Sequence, residues 1–375
     1  MQYRYITNDK LKVSLLGLGC MRFPIINNDP SQIDREKAFE ILDYALENGI
    51  NYFDTAYPYH GGKSEELVGD FFEKHDRKEF YLATKNPVWL VEKHEDFMHY
   101  LDEQLVNLKT NYVDFYLLHA LSKKTFNKIK NINFQKFIEK AKSDKKIHYI
   151  GFSFHDEYEV FEEIIDSYPW DFCQIQLNYT DKYYQAGLKG LEYARSKGID
   201  VVIMEPLKGG KLANSPKEIN QIWNESKIRR STPEWALKYL YSLHGISVVL
   251  SGMSTLDQLK ENITITSKPD ILDKEDLELI DRAEIIYKSK LKVGCTSCNY
   301  CMPCPSGVKI PNIFELYNNK SVYNTVDESK KSYKNLLDNN GSALECIECG
   351  LCEKACPQNL SIIALLKDAQ KDLTQ

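Results

Sequence analysis

A carboxylate and a phenol five positions apart, Asp54 and Tyr59, sit in the stretch NYFDTAYPYHGGKSEELVG, residues 51–69. Farther along, Lys85 closes the apolar run FYLATK and His119 closes VDFYLLH. Together these four side chains could move a proton. A tyrosine with an ordinary pKa of about 10 is a poor acid near neutrality, but an adjacent ammonium stabilises its phenolate. Lys85 can supply that ammonium, Asp54 can hold the lysine charged and in place, and His119 can hydrogen-bond a substrate oxygen. Each residue also has an ordinary structural reading. Tyr59 is one of 24 tyrosines, Asp54 could cap a loop, Lys85 could snorkel, and His119 could be a hydrogen-bonded core residue. What favours chemistry is that all four fall at or just beyond strand ends.

The elements that must place them repeat along the chain. The buried strand carrying Asp54 is broken by Pro58 and Gly61-Gly62, and Ser64 is expected to cap an amphipathic helix. Glu65 and Glu66 in its first turn suit the helix dipole. Apolar runs predict strands over residues 13–20, 51–56, 80–85, 113–119, 147–153, 172–178, 200–206 and 246–252. Helical patterns follow over 34–48, 64–75, 91–108, 134–145, 157–168, 183–197 and 233–244, with an eighth helix beginning at Thr255. Lys10 to Ser14 should close an N-terminal hairpin, and the charge-rich segment 121–133 reads as a solvated loop.

Strands that are apolar almost throughout, each followed by a helix, imply a parallel sheet covered by helices. Eight such units in roughly 250 residues fit a closed (β/α)8 TIM barrel, of the α/β class, better than an open doubly wound sheet. No GxGxxG follows any strand, which counts against a Rossmann dinucleotide site.

The motifs NYFDTAYPYHGGKSEELVG, LATK, FYLLH and IGFS, in that order, resemble those of the aldo-keto reductase family, over roughly residues 3–290. The resemblance implies hydride transfer between a nicotinamide cofactor, NADP or NAD, and a carbonyl. Tyr59 would be the proton donor, with Asp54, Lys85 and His119 in support. It also implies that Ser153 and Gln174 hold the carboxamide. Glu205, Pro206, Leu207 and Gly209 of the EPLKGG loop would lie along the pyrophosphate, while Gly252, Ser254, Gln258 and Asn262 would meet the adenosine end. Two positions depart from the family pattern. Phe154 and then His155 follow Ser153 where an asparagine is common, and neither Gly252 nor Gln258 is basic, so both cofactors stay open.

Eight of the ten cysteines fall between Cys295 and Cys356. CTSCNYCMPCP supplies Cys295, Cys298, Cys301 and Cys304; CIECGLCEKACP supplies Cys346, Cys349, Cys352 and Cys356. The second is the bacterial ferredoxin run, in which the fourth cysteine ligates the other run's cluster. Two [4Fe–4S] clusters are therefore expected, one on Cys295, Cys298, Cys301 and Cys356, the other on Cys346, Cys349, Cys352 and Cys304. Zinc is the main rival, because paired thiolates also make tetrahedral sites; disulfides suit a reducing compartment poorly. Helical patches at Ile310–Asn318 and Ser332–Leu337 suggest a mostly helical, ferredoxin-like domain. The division is thus a barrel over residues 1–290, ending in an extra helix Asp273–Lys290, and a ferredoxin-like domain over 291–375. The whole resembles aldo-keto reductases that carry a C-terminal ferredoxin domain. Cys20 and Cys173, on buried strands, read as small hydrophobes.

A formal charge of −6 without a dense basic stripe argues against nucleic acid. No apolar stretch approaches the roughly 20 residues of a membrane helix and no leader pattern opens the chain, so a cytoplasmic protein is expected. Two functions fit. One is a reductase of small carbonyls, or dehydrogenase of alcohols, whose clusters tune the site or serve an external electron carrier. The other is an electron-transfer or redox-sensing protein that binds nicotinamide with little turnover.

Overall fold

A computed structural model describes residues 1–7, 10–27 and 29–375. Strands β1 (Tyr3–Ile6) and β2 (Leu11–Ser14) form the expected antiparallel hairpin, Tyr3 opposite Ser14. Eight parallel strands follow. They are β3 (Leu16–Gly19), β4 (Tyr52–Asp54), β5 (Tyr81–Asn86), β6 (Val113–Leu121), β7 (Ile147–Phe154), β8 (Phe172–Gln176), β9 (Asp200–Met204) and β10 (Ile246–Ser251), closed into a barrel by pairing of β10 with β3. Strand β3 is shorter than its apolar run because Val13 and Ser14 pair in the hairpin instead.

Inward-facing Tyr52, Ala83, Phe115, Leu117, Phe172, Val202, Val248 and Leu250 fill the cylinder, and Ile6 and Val13 of the hairpin join the same cluster. Alternate residues of one strand, such as Phe115 and Leu117, point into the barrel, as closure requires. Asp200, opening β9, accepts from the Thr7 backbone N–H at 2.6 Å and from Ser247 Oγ at 2.9 Å, tying the hairpin to the strands' amino ends. That leaves the carboxyl ends for chemistry.

Two local expectations are corrected. Residues Lys123–Asn131 form a helix, capped by Ser122, because Phe126 and Ile129 are both buried three positions apart among the charges. Ser64 is the first residue of the helix Ser64–Phe72 rather than its cap; its hydroxyl bonds Thr55 Oγ1 at 2.9 Å and Cys20 O at 3.3 Å.

The chain separates into two compact units. Met1–Pro206 with Leu237–Ile271 contains the whole barrel, and Leu207–Ala236 with Leu272–Gln375 forms the second. In the second unit Tyr323 Oη donates to the carbonyls of Lys211 and Asn214 at 3.1 and 3.2 Å. Lys290 pairs with Glu218 at 2.6 Å, and Arg282 grips Glu225 at 2.6 and 2.8 Å. Its apolar core gathers Val293, Val308, Ile313, Phe314, Tyr333 and Leu366 from the stretch after Lys290. Among the described residues, no helix is long and apolar enough to cross a membrane.

Candidate active site

Four of the sequence-predicted residues converge at the carboxyl ends of β4, β5 and β6. Lys85, 1 % exposed, donates to Asp54 Oδ1 at 2.6 Å and to the Thr55 carbonyl at 2.8 Å. Its ammonium lies 3.4 Å from the Tyr59 hydroxyl and 4.9 Å from the centre of that ring. The Tyr59 ring meets His119 edge-on at 6.2 Å.

The loop that carries Tyr59 is fixed by its neighbour. His60 has a left-handed backbone, φ 54°, and its Nε2 accepts from the Phe23 N–H at 3.2 Å. With Nε2 an acceptor, Nδ1–H must be the donor to the Pro30 carbonyl at 2.8 Å. Burial pushes the His60 pKa down, in keeping with a neutral ring. A second left-handed residue, Ala120 (φ 52°), follows His119 where the pairing of β6 with β7 slips. Its N–H donates to Ser153 Oγ at 2.7 Å. Backbone strain of this kind concentrates where side chains must be aimed.

Electrostatics sort the acids and bases. Burial, then the Lys85 charge, then His155, hold His119 well below the usual histidine range, so its imidazole is neutral at pH 7. His155 falls to about 4, chiefly through burial, while its Nδ1 lies 3.3 Å from Gln185 Oε1. The Asp54 carboxyl is raised by burial, against the downward pull of Lys85.

Ser153 and Gln174 are directly paired in the register of β7 and β8. That pairing needs Gly151, since a Cβ there would sit 2.5 Å from the Phe172 carbonyl oxygen. Gln174 Nε2 is 3.5 Å from Asp54 Oδ2, and its buried Oε1 has no hydrogen-bond partner. Glu205 follows β9 with a left-handed backbone (φ 57°) and accepts at its carbonyl from Asn178 Nδ2 at 3.1 Å; Pro206 comes next. Leu207 and Gly209 fall in the second compact unit. Asn262 is buried and donates to Ser251 Oγ at 3.1 Å, which engages it in the barrel itself. Gln258 Oε1 accepts from the Ser254 N–H at 2.8 Å just before the helix Leu256–Ser267.

Several contributors escaped the sequence reading. Arg22 lies against Gly252: a Cβ on the glycine would meet its side chain at 3.2 Å, so a basic group stands there although neither Gly252 nor Gln258 is basic. Trp89, 36 % exposed, packs its ring 5.1 Å from His119. Glu65 is 1 % exposed rather than a surface partner of the helix dipole. Its Oε1 accepts from Thr84 Oγ1 at 2.5 Å and Gln104 Nε2 at 2.6 Å, and Gln104 Nε2 also donates to the Lys85 carbonyl at 3.0 Å. Tyr116 Oη completes the chain by donating to Gln104 Oε1 at 2.7 Å. This buried network grips the strand that carries the lysine.

In the second unit the cysteines line two cavities. One, of about 220 Å³, is walled by Cys301, Cys304, Cys346, Cys349 and Cys352. The other, about 20 Å³, is walled by Cys295, Cys298, Cys301 and Cys356. Among the described residues, no three Cys, His, Asp or Glu side chains converge on a point as ligands of one ion. Ser306 adds a buried hydroxyl without a hydrogen-bond partner to the wall of the larger cavity. Cys20 and Cys173 are fully buried in the barrel.

Residues 15–285 match the Aldo/keto reductase family, and residues 294–361 match the 4Fe-4S dicluster domain. An oxidoreductase of Bacillus subtilis, YqkF, itself named as uncharacterized, is 27% identical over 73% of this chain and 94% of its own length. L-galactose dehydrogenase of Arabidopsis thaliana is 28% identical over 77% of this chain and 95% of its own. Among solved structures, the holo form of aldo-keto reductase AKR11C1 from Bacillus halodurans superposes with a TM-score of 0.64 at 26% identity, covering 76% of this chain and 96% of that one.

Proposed function

The chain belongs to the aldo/keto reductase family, and from that premise we propose that it reduces an aldehyde or ketone at the expense of NAD(P)H, or oxidises the alcohol, with Tyr59 as the proton donor. The observation that carries this reading is the placement of the Lys85 ammonium between Asp54 Oδ1 at 2.6 Å and the Tyr59 hydroxyl at 3.4 Å. A phenol gives up its proton most readily where a fixed positive charge faces the oxygen that turns negative. Asp54 keeps that charge from swinging away. His119, neutral, hydrogen-bonds the substrate oxygen, and the Trp89 ring beside it forms one wall for the substrate.

The residues present suit a nicotinamide. Gln174 Oε1 is a buried acceptor in want of a donor, and Ser153 Oγ, already accepting from Ala120, keeps its own proton to give. One acceptor beside one donor is the complement of a carboxamide. When bound, the nicotinamide supplies or takes the hydride. Glu205, left-handed just beyond β9, and Pro206 are assigned to the pyrophosphate. Gly252, Ser254, Gln258 and Asn262 mark the adenosine end, where Arg22 supplies the charge for a phosphate.

Residues 1–290 are assigned the hydride chemistry and residues 291–375 the binding of two [4Fe–4S] clusters. A space of about 220 Å³ far exceeds the roughly 30 Å³ share of one water, and a multi-atom cluster fits it better than a zinc ion with sulfurs about 2.3 Å away. Cys304, Cys346, Cys349 and Cys352 are its ligands. Cys295, Cys298, Cys301 and Cys356 have the right donors for the second cluster, but the gap of about 20 Å³ requires those thiols to part. Roughly eight iron atoms per chain support two clusters; four support one.

Tyr59→Phe tests the chemistry. Turnover of NAD(P)H with a panel of aldehydes and ketones should fall about 10²- to 10⁴-fold, while NAD(P)H binding, followed by its fluorescence, stays unchanged. Retained turnover would remove the tyrosine from the mechanism. Binding without turnover by the unaltered protein would favour electron transfer or redox sensing.

A further inference from the structure

Leu344, Ile347 and Leu351 are 66, 69 and 54 % exposed, three large apolar side chains within eight residues of one another. Burying such a cluster is favourable, and on a folded surface it marks a place where something docks. Two of them, Ile347 and Leu351, line the larger cysteine cavity as well as facing solvent. Between them Cys349 is itself exposed, whereas Cys295, Cys298, Cys301 and Cys356 are each half-buried. Of the two cysteine cavities, the larger therefore opens through the apolar face.

The charge on this face leans negative. Residues 342–354, SALECIECGLCEK, hold three carboxylates, Glu345, Glu348 and Glu353, against one exposed lysine, Lys354. Glu348 pairs with Lys367 at 2.7 Å, and among the described residues no such pair is seen for Glu345 or Glu353. A second copy of the chain is a poor occupant, because a two-fold contact would set these carboxylates against their own counterparts. A partner with a basic face is complementary. An apolar centre of three side chains is also small, which suits the brief, low-area encounters of redox proteins rather than a permanent complex.

We propose that this face docks a one-electron carrier protein with a basic surface, and that electrons pass between the carrier and the cluster held by Cys304, Cys346, Cys349 and Cys352. The proposal rests on the cluster reading given above. One electron leaves the reduced cluster and enters the oxidised centre of the carrier; no proton or heavy atom is transferred. The short path through Cys349 is the reason for choosing this cluster over the one walled by half-buried thiols.

Ferricytochrome c, a basic one-electron acceptor, serves as the probe with the full-length iron-loaded protein under anaerobic conditions. Calorimetric titration of the oxidised protein with ferricytochrome c should show binding at low salt that weakens as salt rises. After reduction of the clusters and removal of excess reductant, cytochrome reduction should be rapid in stopped flow. Glu345→Lys combined with Glu348→Lys, and separately Leu344→Gln, which does not line the cavity, should each weaken binding and slow reduction at least tenfold. Ferricyanide, a small anion that needs no docking face, should take electrons from both variants within twofold of the unaltered rate. Glu36→Lys with Glu40→Lys, on a barrel helix, should leave cytochrome binding unchanged.

Unchanged cytochrome kinetics in both face variants would overturn the proposal, as would equal weakening by the barrel pair. A dimer in sedimentation that Leu344→Gln dissolves would assign the face to a second copy instead. Iron and sulfide measured on the same samples separate the failures. A preparation that never takes up iron overturns the cluster reading along with the docking face, whereas an iron-loaded one indifferent to the substitutions overturns the docking face alone.

Discussion

At the strand ends of the barrel the reactive groups are held by one another: Lys85 by Asp54 and Thr55, the Lys85 strand by Gln104, and Gln104 by Tyr116. In the C-terminal unit the arrangement is reversed. Six cysteines, Cys295, Cys301, Cys304, Cys346, Cys352 and Cys356, pack directly against the apolar core, and core residues Val308, Ile310 and Leu366 help to line the larger space they surround. The barrel site is shaped before anything binds. On the cluster reading proposed above, the cysteine layer would be completed by what it binds, as in small metal-bearing domains whose binding energy is also folding energy.

The largest expected effect breaks or upholds that contrast directly. Removing iron by chelation should abolish amide-exchange protection in the helices Ile310–Val322 and Ile362–Thr374 while β4, β5 and β6 keep theirs. Equal protection in both regions would mean that the cysteine layer stands by itself.

Next in size is a substitution that loosens the barrel site without touching a reacting group. Gln104→Leu strips hydrogen bonds from buried Glu65, Thr84 and the Lys85 carbonyl, at about 1–3 kcal/mol for each group left unsatisfied. The urea midpoint should fall and kcat should drop about tenfold, with the KM for NAD(P)H unchanged. If kcat survives, the lysine does not depend on this support.

Acid should then act on the barrel in a defined direction. His119 and His155 have folded pKa values below the ordinary 6.5, His155 at about 4. Between about 4 and 6.5 the unfolded chain therefore binds more protons, so the histidine contribution to stability is full above pH 6.5 and is lost as pH falls toward 4. Raised Asp54 and Glu65 act in the opposite sense, gaining protons in the folded state first. Comparing urea unfolding of the unaltered protein with His155→Gln at pH 7.5 and pH 5 isolates the histidine. The variant should lose less stability between the two pH values.

The smallest effect concerns the cysteine layer. Ser306→Ala removes a hydroxyl from the cavity wall. Hydrogen bonds to cluster sulfurs stabilise the more negative, reduced state, so its loss should lower the midpoint potential with iron content unchanged. An unaltered potential in an EPR-monitored titration would direct that hydroxyl elsewhere.

Much of this was legible in the chain because the informative groups are punctuated locally. Strands bounded by Pro58, Gly61 and Gly198 announce a repeating unit, and two cysteine runs announce their own sets by spacing. The supporting groups are not. Gln104 reaches Lys85 from a helix facing the strand, and Arg22 reaches Gly252 across 230 positions of sequence; no local period encodes either meeting. Glu65 misleads for a related reason. A glutamate in a first turn suits solvent and dipole equally well, and only the packing of that helix against Thr84 and Gln104 shows that it is buried. The helix Lys123–Asn131 was hidden by its lysines, which outnumber the two buried side chains that hold it down.

The polypeptide passes between its two compact units three times, after Pro206, after Ala236 and after Ile271. A chimera made by grafting a foreign tail after residue 290 would keep Leu207–Ala236 but discard Tyr323, whose hydroxyl caps the Lys211 and Asn214 carbonyls. Recombining this protein with a relative that lacks cysteines would therefore call for exchanging the insertion together with the tail, as one cassette in two pieces.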